Sequence, residues 1–177
     1  MKTLLLVIST AFSCSPSVGV STTALTSSTA HCIDPRSYGA VADDGQSDRV
    51  AIQTAIDAAT AQPNGGTVCV GPGVWSLERA PVGSYKRYAA LSTHGDGLTL
   101  RCIGSESVLS ITGDQEGQST VLFSIDPSAE RTTIEGCTLR GRGMTNTHEQ
   151  THAMVTSGVC SGDTCRPIVD VTIRDVT

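Results

Sequence analysis

Asp34-Pro35-Arg36-Ser37-Tyr38-Gly39-Ala40-Val41-Ala42-Asp43-Asp44-Gly45-Gln46-Ser47-Asp48 runs on into Ala51-Ile52-Gln53-Thr54-Ala55-Ile56-Asp57. A little further on stands Gly65-Gly66-Thr67-Val68-Cys69-Val70-Gly71-Pro72-Gly73-Val74-Trp75. The first run is a polar turn that leads into a helix. Ser47 is the expected N-cap, and Asp48 places negative charge at the positive end of the helix dipole. Ile52, Ala55, Ile56 and Ala59 recur at helical spacing over residues 48–61, and Pro63-Asn64-Gly65-Gly66 stops the helix. The second run is a short apolar strand, a Gly-Pro-Gly turn and another strand.

Beyond this point the texture is short strands between glycine turns. Leu98-Thr99-Leu100-Arg101, Thr132-Thr133-Ile134-Glu135 and Val171-Thr172-Ile173-Arg174 share a Thr, then Ile or Leu, then a charge. Their central threonines lie 34 and 39 residues apart, within the range of stacked repeats that each form one supersecondary unit. Further strands are expected at 108–111, 121–125 and 153–155. Several strands per repeat is the pattern of a parallel β-helix, whose coils share one core. A β-sandwich would place its strands at regular hairpin spacing instead. Val68, Val70, Leu98, Leu100, Ile134, Leu139, Val171 and Ile173 are expected to point into that core.

The two opening runs resemble the amino-terminal segment of the pectate-lyase-like superfamily, found in rhamnogalacturonases, polygalacturonase-like enzymes, epimerases and phage tailspikes. The shared pattern is Gly-Ala-x-Gly-Asp-Gly-x-Thr-Asp, an Ala-Ile-Gln helix, Gly-Gly-Thr-Val and a Pro-Gly turn. Here Ala42-Asp43 stands in place of a single Gly, Ser47 replaces Thr and Arg49 replaces a common second Asp. The match covers residues 34–77. It implies an all-β, right-handed parallel β-helix, a single-stranded solenoid whose amino-terminal α-helix caps the first coil and covers its edge. Gly39, Asp44, Gly45, Ser47, Asp48, Gly65, Gly66, Pro72 and Gly73 then serve as turn and cap residues. That role is preferred to a paired acid and base at Asp44 and Asp48. No closing helix or strand follows the last repeat, so the β-helix is expected to be truncated at its carboxyl end, with residues 31–177 its front part.

Composition bounds the function. The 177 residues carry a net charge of −5 and 3% aromatics, beside 20 Ser, 23 Thr and 18 Gly. A chain without a basic patch is a poor nucleic-acid binder, because phosphate contacts supply most of that affinity. Met1-Lys2-Thr3 followed by the apolar stretch 4–11 is too short to span a bilayer and reads as a secretory signal. Residues 1–30 are therefore assigned to a signal peptide and a Ser/Thr-rich linker. Cys14, in a loose lipoprotein box, is a possible lipid anchor. Secretion, or a periplasmic or cell-surface location, permits disulfides among the other six cysteines. Cys160 and Cys165, separated by Ser161-Gly162-Asp163-Thr164, are the pair expected to bond. The partners of Cys32, Cys69, Cys102 and Cys137 stay open.

Three motifs bear on chemistry. His148-Glu149-Gln150-Thr151-His152 spells the H-E-x-x-H of zinc proteases, which works only on a helix. A third ligand is missing, so no metal and no cofactor is assigned. Gly158-Val159-Cys160-Ser161-Gly162 mimics a nucleophile elbow, but the disulfide is the better use of Cys160. The substrate-binding candidates are Arg140, Arg142, His148, Glu149 and His152 in one cluster, and Tyr85, Lys86, Arg87 and Tyr88 in another. Guanidinium groups suit the carboxylates of an acidic polysaccharide, the partner that the resemblance implies. The chemistry would be glycoside hydrolysis or β-elimination, of the pectin or alginate type. No carboxylate set matches either reaction, so the full active site is not expected within this chain. A non-enzymatic adhesin or tailspike-like binding solenoid is the alternative, and a zinc protease is the least favoured reading.

Overall fold

The computed structural model describes residues 31–82, 87–112, 120–126, 129–141, 151–156, 159–161, 164–166 and 170–177. A short 3-10 turn (Pro35–Tyr38) and helix α1 (Arg49–Thr60) precede the main strands. The first coil holds β2 (Thr67–Val70), β3 (Gly73–Leu77), β4 (Ala80–Val82) and β5 (Arg87–Thr93). The second holds β6 (Thr99–Cys102), β7 (Ser107–Ile111) and β8 (Thr120–Ile125). The third holds β9 (Thr133–Glu135), β10 (Thr138–Arg140) and β11 (Thr151–Thr156). A hairpin of β12 (Val159–Ser161) and β13 (Thr164–Arg166) follows, then β14 (Thr172–Arg174); β1 (Cys32–Ile33) comes before them all.

Each coil contributes one parallel strand to each of three sheets, and the first coil adds β4 to the third. The first sheet runs β1-β2-β6-β9-β14 and the second β3-β7-β10, both wholly parallel; in the third, β5, β8 and β11 are parallel. The chain therefore visits three sheets in turn and returns to the first one coil further on, which is the winding of a parallel β-helix. Antiparallel pairing is local: β4 folds back on β5, and β12 pairs β13.

The repeat read from the sequence sets the register. Thr99 lies beside Thr133 and Thr133 beside Thr172, with Leu100, Ile134 and Ile173 aligned next to them. Thr67 opens the same ladder beside Thr99, one coil earlier than the sequence pattern indicated. Val68, Val70, Leu98, Leu100 and Ile134 join Trp75, Leu77, Leu109 and Phe123 in one core, with Leu139 and Val171 partly buried against it. Ile173 departs from the expectation. It keeps the register of Ile134 but is 47% exposed, because no described strand covers β14 on its other side. Burying a large aliphatic side chain contributes about 1.5–3 kcal/mol, so the loss at this position is substantial.

Helix α1 buries Ala51, Ile52, Ala55, Ile56 and Ala59 in the same core. Ser47 does not cap it. The N-cap is Asp48, and its carboxylate makes no capping bond. Instead Asp48 Oδ1 accepts from the Val41 amide at 2.8 Å and Oδ2 from the Ser76 amide at 3.0 Å. Ser47 bridges to Ser76, and its Oγ accepts from the Glu78 amide at 3.3 Å. Both side chains thus serve β3 rather than the helix. Asp43 does the same, taking the Val74 amide at 2.9 Å.

Candidate functional site

The described members of the two sequence clusters, Arg87 and Tyr88 in one and Arg140 and His152 in the other, stand near the start of the third sheet or the end of the second. On every coil the chain passes from the second sheet to the parallel strands of the third, from Leu77 to Arg87, from Ile111 to Thr120 and from Arg140 to Thr151. Register places Tyr88, Thr120 and Thr151 side by side at the start of the third sheet. Arg87 and Tyr88 on β5 therefore stand one strand away from Thr151 and His152 on β11, about 9–10 Å across the sheet at the usual strand spacing. Arg140, exposed, ends β10 on the same passage. Tyr85, Lys86, Arg142, His148 and Glu149 lie outside the described residues.

The ring of Tyr88 is half-buried and already engaged: Arg79 Cζ sits 4.2 Å above its centroid. This guanidinium–aromatic stack fixes the ring at the edge of the passage. Arg79 has no place in the repeat, and the sequence offered no signal for it. His152 stands on strand β11. The helical turn that would aim His148 and His152 at one zinc ion is therefore not formed at His152. Among the described residues, no three His, Cys, Asp or Glu side chains gather as a metal would require.

A charged ladder occupies the first sheet. Arg101, Glu135 and Arg174 are successive in register. Arg101 Nε donates to Glu135 Oε1, and Arg174 Nε donates to Oε2. The carboxylate is nearly buried, while both arginine side chains are about half exposed. The hydrogen bond from Arg101, helped by that from Arg174, holds the Glu135 carboxyl below the usual range against the upward push of burial. The two arginine-bearing strands lie two strand spacings apart, about 9.6 Å, and both guanidinium groups close on the one carboxylate between them. The signal was in the sequence, as the charge that closes each repeat.

The remaining assigned residues lie around the first coil. Gly39 ends the 3-10 turn, and Asp44 accepts from the Gln46 amide at 2.8 Å across Gly45. Gly65 and Gly66 lead into β2, and Pro72 and Gly73 turn from β2 to β3. Gly73 has φ +118°, and a Cβ there would meet the Ala42 Cβ at 2.6 Å and Asp43 Oδ2 at 2.7 Å. A side chain at Gly73 would push the Asp43 carboxylate off the Val74 amide. Asp48, the most buried of these acids, has its carboxyl raised by burial against the two amide bonds it accepts. Its oxygens are used by backbone, which leaves it poorly placed for acid–base work. Disulfides join Cys32 to Cys69 and Cys102 to Cys137, bonding adjacent coils. Cys160 and Cys165 are register partners across the β12–β13 hairpin.

A parallel β-helix with an amino-terminal helix and polar coil corners is the architecture of pectate-lyase-like proteins, and the chain is similar to that class. No protein-family model matches the sequence, and no curated protein matches it. Among solved structures, the A-module of the mannuronan C-5 epimerase from Azotobacter vinelandii is similar to this chain. The TM-score is 0.57 and the sequence identity 25% over 80% of this chain. The match covers 38% of the epimerase module, so the chain spans well under half of its length.

Proposed function

We propose that this protein is an exported β-helical, carbohydrate-active protein whose partner is an acidic polysaccharide of the polyuronate kind. The carrying observation is the likeness to a mannuronan C-5 epimerase module. The cations support it. Arg140 ends the second sheet and Arg101 and Arg174 are half exposed on the first, and the sequence supplies further cationic candidates at Lys86, Arg87, Arg142 and His148. C-5 epimerisation and β-elimination of a uronate begin alike, with removal of the proton alpha to the carboxylate. Either needs a base and a cation that neutralises the carboxylate; hydrolysis needs two carboxylates instead. The cations favour the first two. We read α1 as the cap of a right-handed solenoid, with a polysaccharide chain lying along the coil edge.

Export fits the two disulfides, which belong to an oxidising compartment. Among the described residues no helix is long and apolar enough to cross a membrane. Lipidation at Cys14 is part of the same proposal. A third disulfide, Cys160–Cys165, fits the register of their hairpin; mass mapping of unreduced protein should return the peptide pair, and free thiols at both positions would refute it.

The test is affinity electrophoresis in gels containing polymannuronate, polygalacturonate or dextran, with NMR of the recovered polymer. Retardation by the polyuronates alone, weakening with salt and with Arg140→Ala, is the expected result. New guluronate signals would mark epimerisation and unsaturated ends would mark elimination. Binding with neither would mark a binding solenoid. Equal mobility in all three gels would refute the reading.

A further inference from the structure

We propose that Ser92, His94 and Asp126 form a separate hydrolytic site that cleaves exposed carboxylic esters of small acyl groups. The three lie at the far end of the third sheet, away from the passage described above. His94 Nδ1 is 3.4 Å from Asp126 Oδ2, and His94 Nε2 is 3.4 Å from Ser92 Oγ. Each ring nitrogen therefore faces a group of its own: a carboxylate at Nδ1, which favours the Nδ1–H tautomer, and a hydroxyl at Nε2. That wiring is what activates a serine nucleophile, and such bonds are commonly long until substrate binds.

The fold builds this arrangement from two coils. Ser92 lies near the end of β5 and His94 directly follows its last residue, Thr93, with the two side chains in contact on one side of the chain. Thr93 is paired with Ile125, which sets Asp126 beside His94, and the Asp126 amide donates to the Thr93 carbonyl at 3.0 Å. Ser92 is clamped at both main-chain groups by one side chain. Gln53 Nε2 donates to its carbonyl at 2.8 Å, and its amide donates to Gln53 Oε1 at 3.0 Å. Gln53 Nε2 also donates to Asp57 at 2.8 Å, so the clamp is anchored on α1. Thr93 is buried, and its hydroxyl donates to the Gly95 carbonyl at 3.2 Å. The nucleophile and base thus ride on a fixed main chain. A surface His–Asp pair alone stabilises a fold by little, so ion pairing gives no reason for the hydroxyl at the other ring nitrogen.

The His94 side chain is 62% exposed, so the substrate is a group that meets the protein at its surface, such as an O-acyl group projecting from a polymer. Ser92 Oγ bonds to the ester carbonyl carbon as the carbon–alkoxide bond breaks. The hydroxyl proton passes to His94 Nε2 and from there to the departing alkoxide. Water then repeats the sequence on the acyl-serine, releasing the carboxylic acid and restoring Ser92. Ser92 and His94 are the catalytic residues, and Asp126 is a positioning residue.

The test uses the full chain with p-nitrophenyl acetate, followed by a fluorophosphonate probe and peptide mapping. Label on Ser92 is expected, with Ser92→Ala losing both label and turnover. His94→Gln should lower kcat about 100-fold, the smaller end of general-base contributions. Asp126→Asn should lower kcat at unchanged KM, and Asp126→Glu should restore part of it. Circular dichroism and melting identify any variant that has lost its fold, and labelling of the unaltered protein decides the matter without variants. Label absent from Ser92, or hydrolysis undiminished in a folded Ser92→Ala protein, overturns the proposal. Neither outcome depends on polyuronate binding.

Discussion

The first coil and β14 carry similar strands with different surroundings. On the first coil, side chains complete the backbone: Asp43 and Asp48 accept the Val74 and Ser76 amides of β3, and Gln53 satisfies both groups of Ser92 on β5. Carboxylate and carboxamide oxygens stand where a neighbouring strand's carbonyls would be, which blunts edges that otherwise recruit other strands. On β14, Thr172-Ile173-Arg174 repeats the Thr-Ile-Glu of β9 in register, yet Ile134 is 1% exposed and Ile173 47%. Register comes from the repeat itself. Burial comes from what lies on the other side.

The sharpest way to break this comparison is to truncate the two isoleucines. Ile134→Ala removes a fully enclosed side chain and should cost about 3 kcal/mol, within the usual range for buried aliphatic truncation. Ile173→Ala should cost well under about 1 kcal/mol, because half of its surface already meets water. Urea unfolding of both variants measures the difference. Equal costs would mean that Ile173 is enclosed in solution.

At the other end, Asp48→Ala should cost about 2–3 kcal/mol, because it strips charged acceptors from two backbone amides. Asp44→Ala should cost about 0.5 kcal/mol, since Asp44 closes only an exposed local turn. Asp48→Asn sharpens the test. Its amide can accept from one N–H but turns an NH2 toward the other, so it should fall between the two. If Asp48→Ala behaved like Asp44→Ala, the edge-stitching account would fail.

What was legible in the sequence divides along the same line. The repeat gave direction and register, because Thr99, Thr133 and Thr172 recur with the coil, and the helical spacing of Ile52, Ala55, Ile56 and Ala59 gave α1. Ser47 was misassigned because local chemistry favours a serine N-cap, whereas its hydroxyl accepts from the Glu78 amide just past the end of β3. The bonds of Asp43 and Asp48 to β3 cross 31 and 28 residues, and no local pattern announces them. The disulfides were within reach. Their separations of 37 and 35 residues are about one coil, so the period that aligned the threonines places each pair on neighbouring coils, although Cys69 and Cys102 fit it too and only register tells them apart. Of the candidate site, the cationic residues were legible. The neighbourhood of Tyr88 and His152 required the register of the third sheet, and the Ser92–His94–Asp126 group required two coils in contact.

The smallest effect tests the charged ladder. Glu135 has its carboxyl held below the ordinary value of 4.5, chiefly by the hydrogen bond from Arg101 and then by that from Arg174. A depressed folded-state value means that the unfolded chain binds the proton more readily. The stabilisation is therefore complete above about pH 4.5 and is lost as pH falls through the folded-state value. Asp48 works in the opposite sense. Burial raises its carboxyl above 3.8, so its protonation favours the folded chain as pH falls and partly offsets the loss at Glu135. Because both arginines are about half exposed, the ladder contributes only about 1 kcal/mol at neutral pH. Glu135→Gln should remove that amount and flatten the acid limb of the stability curve, while Asp48→Asn should steepen it. Melting temperatures from pH 3 to 7 read both slopes. An acid limb unchanged in Glu135→Gln would mean that the carboxylate contributes packing without charge, and the ladder would then be a spacer between coils rather than an electrostatic tie.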